Sequence, residues 1–176
     1  MSKSFNAVNA EENLRLLSSH AINFDCSVEP VLDIMHIKDL VCRLGLDIVD
    51  YVVLKTNGNP PKSSDYHVRT LRRIVDYLLE RHQLQFMDMV KKMKVIELGE
   101  ICQSFVASAD KLFLDRRCNW GRIVTLYAYA ASLADYCASN HVNQDLVRKI
   151  GETVGNYVCV HLTDWICIQG GWVSIL

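Results

Sequence analysis

The side chains that could do covalent chemistry in this chain are few and poorly grouped. Cys159-Val160-His161 brings a thiol nearest to an imidazole. On a helix, positions two apart face different ways, so this pair reads as a core cysteine beside a surface histidine, not as nucleophile and base. The seven cysteines, Cys26, Cys42, Cys102, Cys118, Cys137, Cys159 and Cys167, are odd in number and scattered, with no C-x-x-C pair. They read as reduced thiols packed like small hydrophobes, which fits a cytoplasmic protein. No local pattern offers an activated nucleophile, paired carboxylates or an open metal site, so neither an enzyme nor a cofactor is expected. Lys91, Lys92 and Lys94 form a basic cluster. It reads as a solvated face, with a patch for anionic lipid headgroups as the alternative.

The residues that do invite a function are Asn119-Trp120-Gly121-Arg122, because they open an unusual helix. From Ile123 to Ala134 twelve residues pass without a charge, apolar or small on every side. A helix of that kind belongs in the middle of a bundle. An arginine at its start is costly unless it is partnered or stands at the rim of a cleft. Gly121 removes a side chain where something could approach the backbone, and Asn119 can cap the helix or offer its amide to a partner. Two readings stand for Arg122: a cleft-rim guanidinium waiting for a carboxylate, or an internal salt bridge to a local acid such as Asp115.

The elements that must position these residues are helices. The chain has 176 residues, half of them apolar, enough for one core without disulfides or metal. Charges nearly cancel, 19 basic against 20 acidic, which leaves no global footprint for nucleic acid. No apolar run is long enough to span a bilayer, so no membrane anchor is expected. Apolar positions three and four apart over Ile37–Lys55 predict one amphipathic helix. The segment 57–64, with two consecutive prolines, breaks it. Further helices are expected over 65–83, capped by Ser64 or Asp65, then around Phe86 to Met93, and over 97–114, 119–137 and 143–161. Gly151-Glu152-Thr153-Val154-Gly155 has the small-xxx-small spacing of closely packed helices, here in a soluble bundle. Residues 1–35 read as an N-terminal extension with a turn over 23–30 and one short helix. Residues 36–176 read as the helical domain.

With these residues in view, the chain is similar to the Bcl-2 family of apoptosis regulators. Phe113-Leu114-Asp115 with Asn119 to Leu126 after it resembles the family's first homology segment. Asp164-Trp165-Ile166 with Gln169-Gly170-Gly171-Trp172 resembles the second, and Leu71 to Asp76 the third, in the family's order. The detail is nearest to the myeloid cell leukaemia branch. The resemblance implies an all-α bundle of about eight helices around the hydrophobic helix 119–137, with a surface groove. In pro-survival relatives that groove accepts the Bcl-2 homology 3 (BH3) helix of a pro-apoptotic partner of the Bim, Bid, Puma, Bak or Bax type. Arg122 would meet the partner's aspartate, with Asn119 and Gly121 beside it. By position, the pocket walls would be His82, Phe86, Met89, Val90, Met93, Leu112, Val124, Thr125 and Tyr129, each of which could equally be plain core.

A groove of this kind binds amphipathic helices through four apolar anchors, about 6 to 12 kcal/mol together, against about 2 to 5 for ordering the partner. Nanomolar binding needs about 12 kcal/mol, so the Arg122 ion pair would decide between weak and tight. That role requires a free guanidinium beside an open trench.

Departures from the family pattern refine the expectation. Val75 stands where the family has a small residue before the aspartate of the third segment, so this segment is expected to wall the protein's own groove and not to serve as a donated ligand. Arg116 replaces the glycine after the aspartate of the first. The chain stops four residues after Trp172, where relatives continue to an anchor, and the loop between its first two helices is short. Both features suggest a compact form, viral or trimmed cellular. The expectation is a survival factor in the cytoplasm, peripheral at the mitochondrial outer membrane. The rival is a membrane-permeabilising killer of the Bax and Bak kind, and self-association covering the groove is a further expectation.

Overall fold

The computed structural model describes residues 34–93, 98–140 and 144–172. The expected turn over 23–30, the expected short helix near the N-terminus and Lys94 all lie outside the described residues. Seven helices are present among them: α1 Ile34–Thr56, α2 Tyr66–Arg81, α3 Gln83–Lys92, α4 Leu98–Leu112, α5 Trp120–Ser139, α6 Gln144–His161 and α7 Thr163–Ile168. The first begins at Ile34, two residues before the expected domain boundary. The last, only six residues long, joins the C-terminal tryptophans to the bundle, and its length is too short for periodicity to reveal.

The ends of these helices obey local chemistry. Asp65 caps α2, its carboxylate accepting from the amides of His67 at 2.8 Å and Val68 at 3.3 Å. Asn119 caps α5 by accepting from the Arg122 amide at 2.8 Å. Each cap satisfies amides that the first helical turn leaves without partners.

The uncharged stretch of α5 is buried except at Ser132, as its composition demands. The other helices enclose it. Tyr127, fully buried, donates its hydroxyl to the Val41 carbonyl of α1 at 3.0 Å, which satisfies the one polar atom that this ring takes into the core. At the head of α5, Trp120 meets Trp165 and Trp172 edge-on at 5.2 and 5.3 Å between ring centroids, fastening α7 and the segment after it to the central helix.

On one flank α1 and α6 touch backbone to backbone. A side-chain carbon at Gly155 would lie 2.8 Å from the Cys42 carbonyl oxygen and 2.9 Å from its Cα, and one at Gly45 would run into the Gly151 carbonyl. The small-xxx-small spacing thus serves close packing inside the bundle. On another flank α2 is stapled to α1. Arg72, with its side chain only 9% exposed, grips Asp47 through Nε at 2.9 Å and Nη2 at 2.7 Å, reaches the Pro61 carbonyl and lies over the Tyr51 ring. One turn on, Asp76 accepts from the Tyr51 hydroxyl at 2.7 Å and pairs with Lys55 at 2.8 Å. Leu71 and Val75 complete the apolar side of this contact, both buried.

Candidate functional site

One stripe of α5, at alternating spacings of three and four, carries Arg122, Thr125, Tyr129, Ser132, Tyr136 and Ser139. At its N-terminal end the guanidinium of Arg122 is occupied. It forms a bidentate pair with Asp115, Nη1 to Oδ1 at 2.5 Å and Nη2 to Oδ2 at 2.7 Å, and also donates to the Arg117 carbonyl. The arginine side chain is 12% exposed and the aspartate 39%. The guanidinium, together with the Arg117 amide, holds the Asp115 carboxyl far below the usual carboxylate range. Arg122 therefore does not stand free in this conformation, and the internal salt bridge is the arrangement that forms. The reason is the tight turn between α4 and α5. Arg116 sits at φ 57°, the left-handed region that favours glycine, and this bend carries Asp115 back over the first turn of α5.

The middle of the stripe is filled by the chain's own side chains. Tyr129 is buried, stacks on Phe105 of α4 at 5.5 Å and 19°, and donates its hydroxyl to the sulfur of Met93 just past α3. Burial pushes that hydroxyl well above its ordinary pKa. Thr125, also buried, turns its hydroxyl to the Gly121 carbonyl at 2.8 Å. Phe86, Met89, Val90, Leu112 and Val124 are buried as well. Gly121 is buried, His82 and Met93 are half-buried, and only Asn119 among the expected residues is exposed. The twelve positions thus gather along α3, α4 and α5; most are packed against neighbours, while Phe86 and Val90 also face a cavity at the C-terminal end of α5.

Beyond Tyr129 the stripe opens. A cavity of about 650 Å³ lies at the C-terminal end of α5, between Val52 of α1, Leu79 of α2, Phe86 and Val90 of α3, and Ser132 and Tyr136 of α5. Asp135 also faces it, its carboxyl raised by burial and partly relieved by the Thr56 hydroxyl. The groove residues expected from sequence end at Tyr129. The continued spacing through Ser132, Tyr136 and Ser139 was the available signal, hidden because serine and tyrosine do not stand out as groove-forming types.

An apolar seam along a central helix, with an ion pair at one end and a cavity at the other, is suited to taking an amphipathic helix once its walls part. No group of metal-ligating side chains occurs among the described residues. The sequence profile of the Bcl-2 family of apoptosis regulator proteins matches residues 71–172, and the chain belongs to that family. Human Bcl-2-like protein 1 is 31% identical over 104 residues, which are 59% of this chain and 43% of that relative, so the match spans less than half of the relative's length. A zebrafish pro-survival protein, NRZ, solved with the Bad BH3 segment, has the same fold at a TM-score of 0.69 and 18% identity, over 81% of this chain and 93% of NRZ. Chicken BOK is similar at 0.68 and 21%, over 82% and 96%.

Proposed function

We propose that this chain is a pro-survival regulator, a non-enzymatic module that sequesters the BH3 helices of pro-apoptotic relatives, acting in the cytoplasm and peripherally at the mitochondrial outer membrane. The observation that carries this reading is the way α2 is held. Its apolar residues Leu71 and Val75 are buried, and its Arg72 and Asp76 are tied to α1. A helix pinned in this way serves as the wall of a receptor, not as a ligand for another protein's groove.

The incoming helix enters along the seam over Thr125 and Tyr129. The free guanidinium and open trench that this role requires are absent from this conformation, so the incoming helix itself displaces Met93 and Phe105 from Tyr129 and exchanges its aspartate for Asp115 on Arg122. The exposed position of Asp115 makes that exchange feasible, since water can solvate the released carboxylate. NRZ was solved with such a segment bound, which supports the ligand class.

A calorimetric titration of Bim, Bid, Puma, Bak and Bax type BH3 peptides tests the proposal. Saturable binding to at least one is expected. Arg122→Glu is expected to cost about 2 to 5 kcal/mol, roughly 30-fold or more in affinity. No saturable binding, or an unchanged affinity in that variant, overturns the reading. The likeness to BOK sets the rival outcome, membrane permeabilisation. Among the described residues no helix is long and apolar enough to cross a membrane. Dye release from liposomes in the presence of an activating peptide would favour that rival.

A further inference from the structure

The α1–α6 crossing carries a feature unrelated to the groove. Gly45, Gly151 and Gly155 strip side chains from the interface, so the two backbones run in contact and antiparallel. Cys42 sits on α1 at that contact. Its sulfur lies 3.9 Å from the Gly155 carbonyl oxygen and 3.9 Å from the Asn156 side-chain oxygen. Cys159 lies one helical turn beyond Gly155, on the face of α6 that Gly155 presents to Cys42. Both residues are half-buried, neither sealed in the core nor fully in solvent. A disulfide needs Cα atoms no more than about 6.8 Å apart, and the glycine contact brings the α1 and α6 backbones nearer to each other than ordinary packing at about 8 to 10 Å between axes.

We propose that Cys42 and Cys159 form a redox-sensitive pair, closing to a disulfide across the α1–α6 crossing when the protein meets a hydroperoxide. The Cys159 thiolate attacks the peroxide, the O–O bond breaks, and a sulfenic acid forms as water or an alcohol leaves. The Cys42 sulfur then attacks the sulfenic sulfur, the S–S bond forms, and the S–O bond breaks as water departs with the Cys42 proton. Two thiols are oxidised and one peroxide is reduced. Burial, with the neighbouring thiol, pushes Cys42 up to about 11, so Cys42 enters as the protonated resolving thiol. The glycines thus have a second consequence besides packing, since they bring Cys42 against the face of α6 that carries Cys159.

The linkage would tie the first described helix to the sixth and restrict the unfolded chain over the long loop from 42 to 159. Such a restriction is expected to raise the melting temperature by roughly 5 to 15 °C. The test uses the reduced full-length protein, treated with hydrogen peroxide, blocked with N-ethylmaleimide and digested without reductant. The expected product is a peptide pair joining Cys42 to Cys159, reversed by dithiothreitol, absent in Cys42→Ala and in Cys159→Ala, and accompanied by the higher melting temperature. If Cys42 and Cys159 both remain alkylatable, or if peroxide joins either to another cysteine or joins Cys102 to Cys137 instead, the proposal fails. Should an alanine variant not fold, the peptide map of the unaltered protein decides alone. The result is independent of whether any BH3 helix binds.

Discussion

At the scale of single residues, the decisive contact is the ion pair between Arg122 and Asp115. In the proposed BH3 complex, its internal partner makes the guanidinium's contribution an exchange and not a gain. Asp115→Asn, which removes the competing charge, is therefore expected to strengthen BH3 peptide binding severalfold in the same calorimetric titration where Arg122→Glu weakens it. Stability moves the other way. The Asp115 carboxyl is depressed in the folded protein, so its contribution is fully present above the unfolded carboxylate value of about 4 and is lost as pH falls below it. The melting temperature of Asp115→Asn is expected to lie below that of the parent at pH 7 and to converge with it in strong acid. Asp135 has the opposite sign. Burial raises its carboxyl, so the charged form is penalised in the folded state, and Asp135→Asn is expected to stabilise at pH 7 with a gain that vanishes below about pH 4. Arg116, at φ 57°, strains a position suited to glycine, and Arg116→Gly should raise stability by about 0.5 to 1 kcal/mol in denaturant unfolding.

Among the helices, two contacts govern how the bundle holds. Gly45→Ala places a methyl group against the Gly151 carbonyl and the Gly155 backbone, which cannot yield as a flexible side chain would. It is expected to cost about 1 to 3 kcal/mol, read as a lower midpoint in urea. Asp47→Ala leaves the Arg72 guanidinium buried beside Tyr51 with the Pro61 carbonyl as its remaining polar partner, at an expected cost of about 3 kcal/mol or more. Much of this architecture is legible in the sequence because it depends on local pattern. The charge-free run from Ile123 to Ala134 could only be central, and Asp65 and Asn119 declare the helix starts they cap. The closure of the trench is not legible in the same way. It depends on Met93 and Phe105 meeting Tyr129 across 36 and 24 positions of chain, and spacing along a helix identifies a face without saying what covers it. Arg122 lies between these cases. Asp115 is near enough in sequence to be a candidate partner, but only the left-handed bend at Arg116 places it there.

For the whole molecule, the packed seam means that the proposed binding includes an opening step. Association with a BH3 peptide is expected to level off at high peptide concentration in rapid mixing, and Phe105→Ala, which removes one side of the stack on Tyr129, should raise that plateau. Self-association over the groove, expected from the sequence, is tested by light scattering at two concentrations, where a mass that rises with concentration would support it. The aromatic cluster at the head of α5 has a different use. All three tryptophans of the chain, Trp120, Trp165 and Trp172, lie in this cluster, and Trp120 is two residues from Arg122. Their intrinsic fluorescence therefore originates from a single place, and with Trp120 and Trp172 shielded from water the emission should be blue-shifted. Arrival of a ligand at the neighbouring guanidinium can be followed by that light without attaching a dye.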